Sequence, residues 1–302
     1  MRAVWFTRYG GPEVLELAEV PEPHPGPGHI RIQVRAAAVN PYDWKVRTGA
    51  ESGGRPLERP VITGQEASGI VDEVGEGVAG VAPGDAVFGP TVRGAVAGFA
   101  LLRHWGPQPR NSDFVASAGL AVVSETAERT LRHLGAPPGA TIVVHGGAGG
   151  VGQAAIQLAR LRGLAVVATA REANHALLAS LGALPTTYGP GLAARVAALA
   201  PAGVAGAIDT AGTDLDELIA LAGAPHVVSI ANHAAAARGA VLTFGGRDSA
   251  WDVLPRIAAL VEEGRFRVPV ERVLPFREAA EAHRLSESRR ATGKIVLVPD
   301  LD

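Results

Sequence analysis

The chain has 302 residues, 47% of them apolar, with 38 Gly, 22 Pro, no Cys, and 28 basic against 30 acidic side chains for a net charge of −2. That length suits two domains or one large α/β domain, and the Gly and Pro content disfavours a helical bundle. The absence of cysteine excludes disulfides, thiol nucleophiles, iron–sulfur clusters and thiolate-bound zinc, and the lack of long like-charge runs disfavours nucleic acid as a partner.

In chain order, the first hundred residues read as β. Val14 to Val20, Ile30 to Val39, Val61 to Val74 and Ala86 to Phe88 are apolar runs separated by turns at Pro21–Gly28, Gly75–Gly77 and Pro83–Asp85. Many short strands with Gly/Pro turns predict a barrel or irregular sandwich. From about residue 115 strands and helices alternate. Strands are expected at Thr141–His145, Leu164–Thr169, Val204–Asp209, His226–Ile230 and Ala240–Phe244, with helices at Val151–Arg162, Ala173–Leu181 and Leu192–Ala200. Thr213–Asp216 has the character of a capping box ahead of a further helix. Such a series predicts a doubly wound parallel sheet. Beyond Gly246, helices are expected at Trp251–Glu263 and Arg277–Ser288, with strands near Val270–Leu274 and Lys294–Val298. The last strand needs a sheet to join, so the tail is expected to return to the N-terminal β domain. The predicted organisation is 1–113 and 246–302 as one discontinuous domain and 114–245 as the other. No stretch approaches the roughly 18 apolar residues of a membrane span and the N-terminus lacks a signal-like apolar segment, which predicts a soluble, cytoplasmic chain with no membrane partner.

The most informative segment is Thr141-Ile-Val-Val-His-Gly-Gly-Ala-Gly-Gly-Val-Gly152. Gly147, Gly149 and Gly152 form Gly-x-Gly-x-x-Gly directly after a strand and at the start of a helix, the context of a dinucleotide phosphate loop. One glycine makes the turn, one admits the pyrophosphate and one lets helix and strand pack closely, while the helix N-terminal amides of Gly147, Ala148, Gly149, Gly150, Val151 and Gly152 meet the anion. The following strand ends Ala168-Thr169-Ala170-Arg171, with no acid until Glu172. An acid there would accept from the ribose hydroxyls of NAD and repel a 2′-phosphate; Arg171 instead suits NADP. The alternative for Arg171 is a solvated residue at a helix start, neutralised by Glu172.

With these residues in view, the chain resembles the medium-chain dehydrogenase/reductase superfamily, in its zinc-free quinone oxidoreductase (zeta-crystallin-like) branch. The resemblance rests on Gly10–Leu15, Asn40-Pro-Tyr-Asp-Trp-Lys-Val-Arg-Thr-Gly49, Gly64-Gln-Glu-Ala-Ser-Gly69, Pro83-Gly-Asp85, the nucleotide loop and Gly293-Lys-Ile-Val296. It implies a Rossmann domain carrying NADP, a GroES-like β-barrel domain carrying substrate contacts, and a homodimer joined at Rossmann sheet edges, here around Ala240–Phe244. Zinc-dependent relatives carry Gly-His-Glu and cysteine ligands where this chain has Gly64-Gln65-Glu66 and no Cys, so no metal is expected.

By the same resemblance, Asn40 lines the nicotinamide end with Asp43 on the same turn, and Tyr188 helps hold the 2′-phosphate. Thr126 lies near the nicotinamide ribose and phosphates, and Asp209, Ile230 and Ala231 mark strand ends that pass the two riboses. Asn40 and Asp43 also read as turn and helix-start residues. The Ser and Lys that often grip the 2′-phosphate are replaced by Arg171 and His175, Val122 replaces a usual Pro, and the Tyr usual near Ala97–Phe99 is missing. Tyr42 is a candidate donor to a developing enolate or a packing aromatic. The expected function is hydride transfer from NADPH to a small molecule that is already electrophilic, a quinone or α,β-unsaturated carbonyl. The alternatives are a biosynthetic enoyl-thioester or specialised-metabolite reductase and a non-catalytic NADPH-binding sensor or structural protein.

Overall fold

The structure, a computed structural model, describes residues 1–300. Its chain divides into two compact units: Met1–Val122 together with the chain from Trp251 onward, and Val123–Ala250. The boundaries expected at 113/114 and 245/246 thus lie at 122/123 and 250/251. On the first side, the short helix Phe114–Ser117 packs on the strands Ile30–Val39 and Glu66–Val74, where Ser68 Oγ donates to Phe114 O at 2.6 Å. On the second, the backbone N–H of Ala250 donates to Glu125 Oε1 at 3.1 Å.

In the first unit, ten residues from Ile30 to Val39 form the central strand of a seven-stranded sheet. Ile30, Ile32 and Val34 alternate into the core, and from Ala36 both faces are covered, which is why the run becomes continuously small and apolar. Glu66–Val74 pairs antiparallel on one side. Lys294–Val298 pairs antiparallel on the other, with Ile295 opposite Val39 and Leu297 opposite Ala37. The tail therefore closes onto the N-terminal sheet, and Val270–Pro275 extends it in parallel through the helix Ala279–Glu287. Arg2–Phe6, Glu16–Glu19 and Val61–Ile62 make a smaller antiparallel sheet, tied to the larger one through the Ala3–Ala97 bridge. The expected continuous strand Val61–Val74 is broken at Gly64, whose φ of +93° turns the chain. Likewise only Glu16–Glu19 of Val14–Val20 is strand, because Pro12–Val14 forms a 3-10 turn.

The second unit holds a six-stranded parallel sheet in the order Leu184–Thr186, Ala165–Thr169, Thr141–His145, Gly206–Asp209, Val227–Ser229, Val241–Leu242. The order reverses at Thr141–His145, so the glycine loop that follows this strand sits at the topological switch point, where open α/β sheets bind ligands. The helix Leu215–Ala222 lacks the expected capping box: Asp214 is its N-cap with φ +55° and makes no side-chain cap bond. A capping box forms instead at Asn40 and Asp43, at the start of the helix Pro41–Thr48.

Candidate functional site

The glycine loop is shaped by close approach. Gly146, one residue before the sequence motif, makes the tight turn at φ +82°. A Cβ on Gly152 would lie 2.3 Å from Gly146 O, and one on Gly147 would lie 3.0 Å from Ala168 Cβ, so these two glycines serve packing. Gly149 caps the helix Gly150–Leu161, and a Cβ there would meet nothing nearer than 3.6 Å. The helix N-terminus beside it presents backbone amides of its first turn that have no intrahelical acceptor. A cradle open at Gly149 and lined by free amides fits a pyrophosphate.

Beneath the loop lies a hydrogen-bond relay that sequence reasoning missed. Gly146 N donates to Thr169 Oγ1 at 3.0 Å, and the Thr169 hydroxyl pairs with His145 Nδ1 at 2.9 Å. Since Thr169 accepts from Gly146 and donates to His145, the network assigns the imidazole proton to Nε2, which meets Thr213 Oγ1 at 3.0 Å. Thr213 in turn donates to Asp214 Oδ2, which also accepts from Gly189 N at 3.3 Å. Burial pushes His145 below its ordinary pKa, against the opposing pull of Asp209 and Asp214. The relay joins four strand-end loops without a fixed charge on the imidazole.

Arg171 and Tyr188 stand in matching register. Thr169 pairs with Thr186 across parallel strands, and each of these two residues lies two positions beyond its strand's partner. Both are exposed, Tyr188 at 49%. No acid lies between Thr169 and Arg171, and His175 Nε2 faces Ala170 O at 3.4 Å on the same turn. The Tyr188 loop is held from behind by Arg195, whose guanidinium donates to the carbonyls of Thr187, Tyr188, Gly189 and Pro190 at 2.9–3.4 Å. These residues fit a nicotinamide dinucleotide.

The other expected contacts of this unit are structural in part. Asp209 is fully buried and its carboxylate accepts from Ala211 N, Gly212 N and Ser229 Oγ at 2.8–3.0 Å, so it shapes its loop. Ile230 N bonds Asp209 O and Ala231 N bonds Ser229 Oγ. Thr126 is nearly buried and donates to Glu125, which forms an ion pair with Arg129 at 2.8 Å.

In the first unit, Asn40, Glu66 and Lys294 form a closed buried cluster. Lys294 Nζ donates to Asn40 Oδ1 at 2.7 Å and Glu66 Oε1 at 2.8 Å, Asn40 Nδ2 donates to Glu66 Oε1 at 2.9 Å, and Val122 N donates to Glu66 Oε2 at 2.8 Å. Asp43 accepts from Asn40 N at 2.7 Å. Burial pushes the Asp43 carboxyl up to about 7, with Glu66 adding to the rise and the Asn40 bond and Lys294 opposing it. Expected to line the nicotinamide end, Asn40 has its amide engaged by this cluster and is 4% exposed. Glu66 and Lys294 were not among the expected site residues, although each lies in a segment that carries the family resemblance.

Tyr42 and Asp43 border a cavity of about 580 Å³ together with Arg59, Gln65, Arg93 and Trp251. Partial burial, then Glu51 and Asp43, raise the Tyr42 pKa, so the phenol stays protonated and able to donate at neutral pH. The side chains do not fit a zinc ion: among the described residues no group of three His, Cys, Asp or Glu could hold a metal, and Glu66 is committed to Lys294 and Asn40.

Comparison with known proteins agrees with this architecture. Residues 26–106 match the alcohol dehydrogenase GroES-like domain and residues 186–297 match the zinc-binding dehydrogenase family. The chain is 31% identical to the chloroplastic NADPH-dependent alkenal/one oxidoreductase of Arabidopsis thaliana, over 99% of this chain and 80% of that protein. It is 41% identical to the quinone oxidoreductase of Rattus norvegicus over 56% of this chain, and spans 53%, about half, of that relative's length. The solved quinone oxidoreductase of Coxiella burnetii superposes with a TM-score of 0.83 at 28% identity, covering 99% of both chains. The chain belongs to the medium-chain dehydrogenase/reductase superfamily, in its quinone oxidoreductase branch. Its fold and loop are those of a nicotinamide-cofactor-binding protein.

Proposed function

We propose that this chain is an NADPH-dependent oxidoreductase that delivers hydride to a quinone or α,β-unsaturated carbonyl without a metal. The observation that carries this reading is the pairing of an open phosphate cradle at Gly149 with Arg171 and Tyr188 in register beyond adjacent strands. NADPH, when bound, supplies the hydride. The amides of Gly150, Val151 and Gly152 hold the pyrophosphate, and Arg171, Tyr188 and His175 hold the 2′-phosphate. Asn40, Glu66 and Lys294 act as positioning residues that fix the turn bearing Tyr42 and Asp43. Tyr42, protonated at neutral pH, donates a hydrogen bond to the carbonyl oxygen as charge develops there. Gln65 in place of histidine and the absence of Cys support a reaction without a metal, which leaves the electrophilicity to the substrate.

The same proposal covers assembly and location: a cytoplasmic homodimer that acts on a small molecule and has no nucleic-acid or membrane partner. It is supported by the edge strand Val241–Leu242 and by Phe244 beside it, which is 60% exposed. No helix among the described residues is long and apolar enough to cross a membrane. The test is loss of NADPH absorbance on addition of a panel of quinones and enones. Turnover with several members is expected; a flat trace with cofactor demonstrably bound points instead to a non-catalytic NADPH-binding protein.

A further inference from the structure

The cavity bordered by Tyr42 has a charge that the quinone or enone reading does not use. Two guanidiniums, Arg59 and Arg93, line it from different parts of the chain, one ahead of the strand Val61–Ile62 and one in the turn before Gly94. Both are exposed, and neither makes a hydrogen bond or ion pair with another described residue. The one carboxyl on the same wall is Asp43, which is buried and bonded to Asn40 N. An adjacent cavity of about 320 Å³ shares Arg59 and Tyr42 and is balanced, with Arg55 and Arg59 facing Glu51 and Glu58. The larger cavity is the more positive of the two, with two guanidiniums against one buried carboxyl. It also has aromatic walls, because Tyr42 and Trp251 border it and Trp251 is itself stacked on His104, with ring centroids 6.2 Å apart and planes inclined by 18°.

Resting on the reductase reading, we infer that the preferred substrate is a planar quinone or enone carrying an anionic substituent, with Arg59 and Arg93 as the residues that select it. A guanidinium offers a planar fork to a carboxylate, sulfonate or phosphate, and a cavity rim of one sign raises the local concentration of the opposite one. A neutral quinone fills the same aromatic slot and leaves both guanidiniums solvated. The selection is therefore for the anion and not against the ring.

The test separates recognition from turnover. Calorimetric titration with naphthalene-2-sulfonate and with neutral 2-naphthamide reads the anion site with no chemistry, and the ratio of the two dissociation constants is independent of the folded fraction. The sulfonate is expected to bind at least tenfold tighter to the wild type, with the ratio collapsing toward one in the Arg59→Gln/Arg93→Gln double variant and inverting in Arg93→Glu. Added salt is expected to weaken the sulfonate alone. Coenzyme A, titrated in parallel, distinguishes the two sources of an anion. Loss of its binding in the double variant assigns the charge to the phosphates of a carrier arm; no binding of coenzyme A beside tight sulfonate binding assigns it to the reacting molecule. A ratio that stays within twofold across all three proteins overturns the inference. Because no turnover is read, NADPH oxidation by neutral quinones independently reports whether the reductase reading itself stands.

Discussion

The two units solve the problem of building a site by opposite means. The unit containing Tyr42 encloses charge: Lys294, Glu66 and Arg47 are all nearly or fully inaccessible, and each is matched by a partner from a distant part of the chain. The unit containing the glycine loop encloses backbone. Its strand ends are joined by hydroxyl, imidazole and amide groups together with the carboxylates of Asp209 and Asp214, and its tightest contacts are glycines where even a methyl group does not fit. The first arrangement is sensitive to the loss of one charge and to pH, because a buried ion without its partner keeps its full desolvation cost. The second is sensitive to added atoms, because backbone packed against backbone cannot yield.

The largest effect expected from breaking this contrast is at Lys294. Lys294→Met leaves Glu66 buried without its cation and is expected to cost about 3–5 kcal/mol, read by urea denaturation. Asn40→Ala removes one neutral partner from the same cluster, and a smaller loss is expected. Equal losses for the two would show that charge is not what holds the cluster.

A sharper test uses pH. Asp43 titrates at about 7 in the fold, against roughly 4 in an unfolded chain. The folded state binds the extra proton between those values, so this carboxyl lowers stability as pH rises from about 4 to 7. His283 shows the reverse. It is buried beside Arg47, which faces its Nδ1 at 3.2 Å, and burial with that charge lowers its pKa to about 3. Stability from His283 is lost as pH falls from about 6.5 toward 3. The two slopes oppose each other across the acidic range. Asp43→Asn keeps an acceptor for Asn40 N but removes one slope, so the variant should lose about 2–3 kcal/mol more than wild type between pH 6.5 and 4.5. Parallel stability curves for the two proteins would show that Asp43 is not held protonated by the fold.

In the second unit, Gly152→Ala places a methyl group 2.3 Å from Gly146 O and is expected to destabilise by about 1–3 kcal/mol while weakening NADPH binding. Gly149→Ala meets nothing nearer than 3.6 Å, so its melting temperature should match wild type while its affinity for NADPH falls. A Gly149→Ala protein that binds NADPH normally would mean that the cradle is not the phosphate site. The smallest effect is at Arg171. Arg171→Ala is expected to weaken NADPH about 10-fold, the scale of one charge-assisted hydrogen bond, and to leave NADH nearly unchanged. Equal weakening of both would remove the assignment of the 2′-phosphate.

How much of this was legible in the sequence follows the same division. Ile30–Val39, Thr141–His145 and Lys294–Val298 begin and end where their apolar patterns do, the first because it alternates before both its faces are covered from Ala36, the other two because they are almost wholly buried. The glycine loop was legible for the same reason, its spacing being dictated locally. The helix Ala121–Leu134 was not, since beside its apolar stripe of Val123, Ala127, Leu131 and Leu134 it also buries Ser124, Glu125, Thr126, Glu128, Arg129 and Thr130, which read as a solvated face. Some of these polar residues have partners remote in sequence, such as Thr243 for Arg129 at 2.6 Å and Arg162 for Glu128 at 2.6 Å. The helix Pro41–Thr48 likewise buries Asp43 and Arg47. The Lys294–Glu66 pair joins residues 228 positions apart, a separation that no local pattern reveals. Charges paired by tertiary structure are invisible to periodicity, whereas backbone requirements written in glycine are not.

On the proposed function, the unit built around the glycine loop holds NADPH in order to oxidise it. Its most direct test is a single-turnover experiment in which protein saturated with NADPH is mixed with a quinone under conditions where free NADPH does not react. Oxidation of the bound NADPH to completion is expected, with one equivalent of quinone consumed, slower in Tyr42→Phe than in wild type. Bound NADPH that remains reduced in the presence of excess quinones and enones would contradict it.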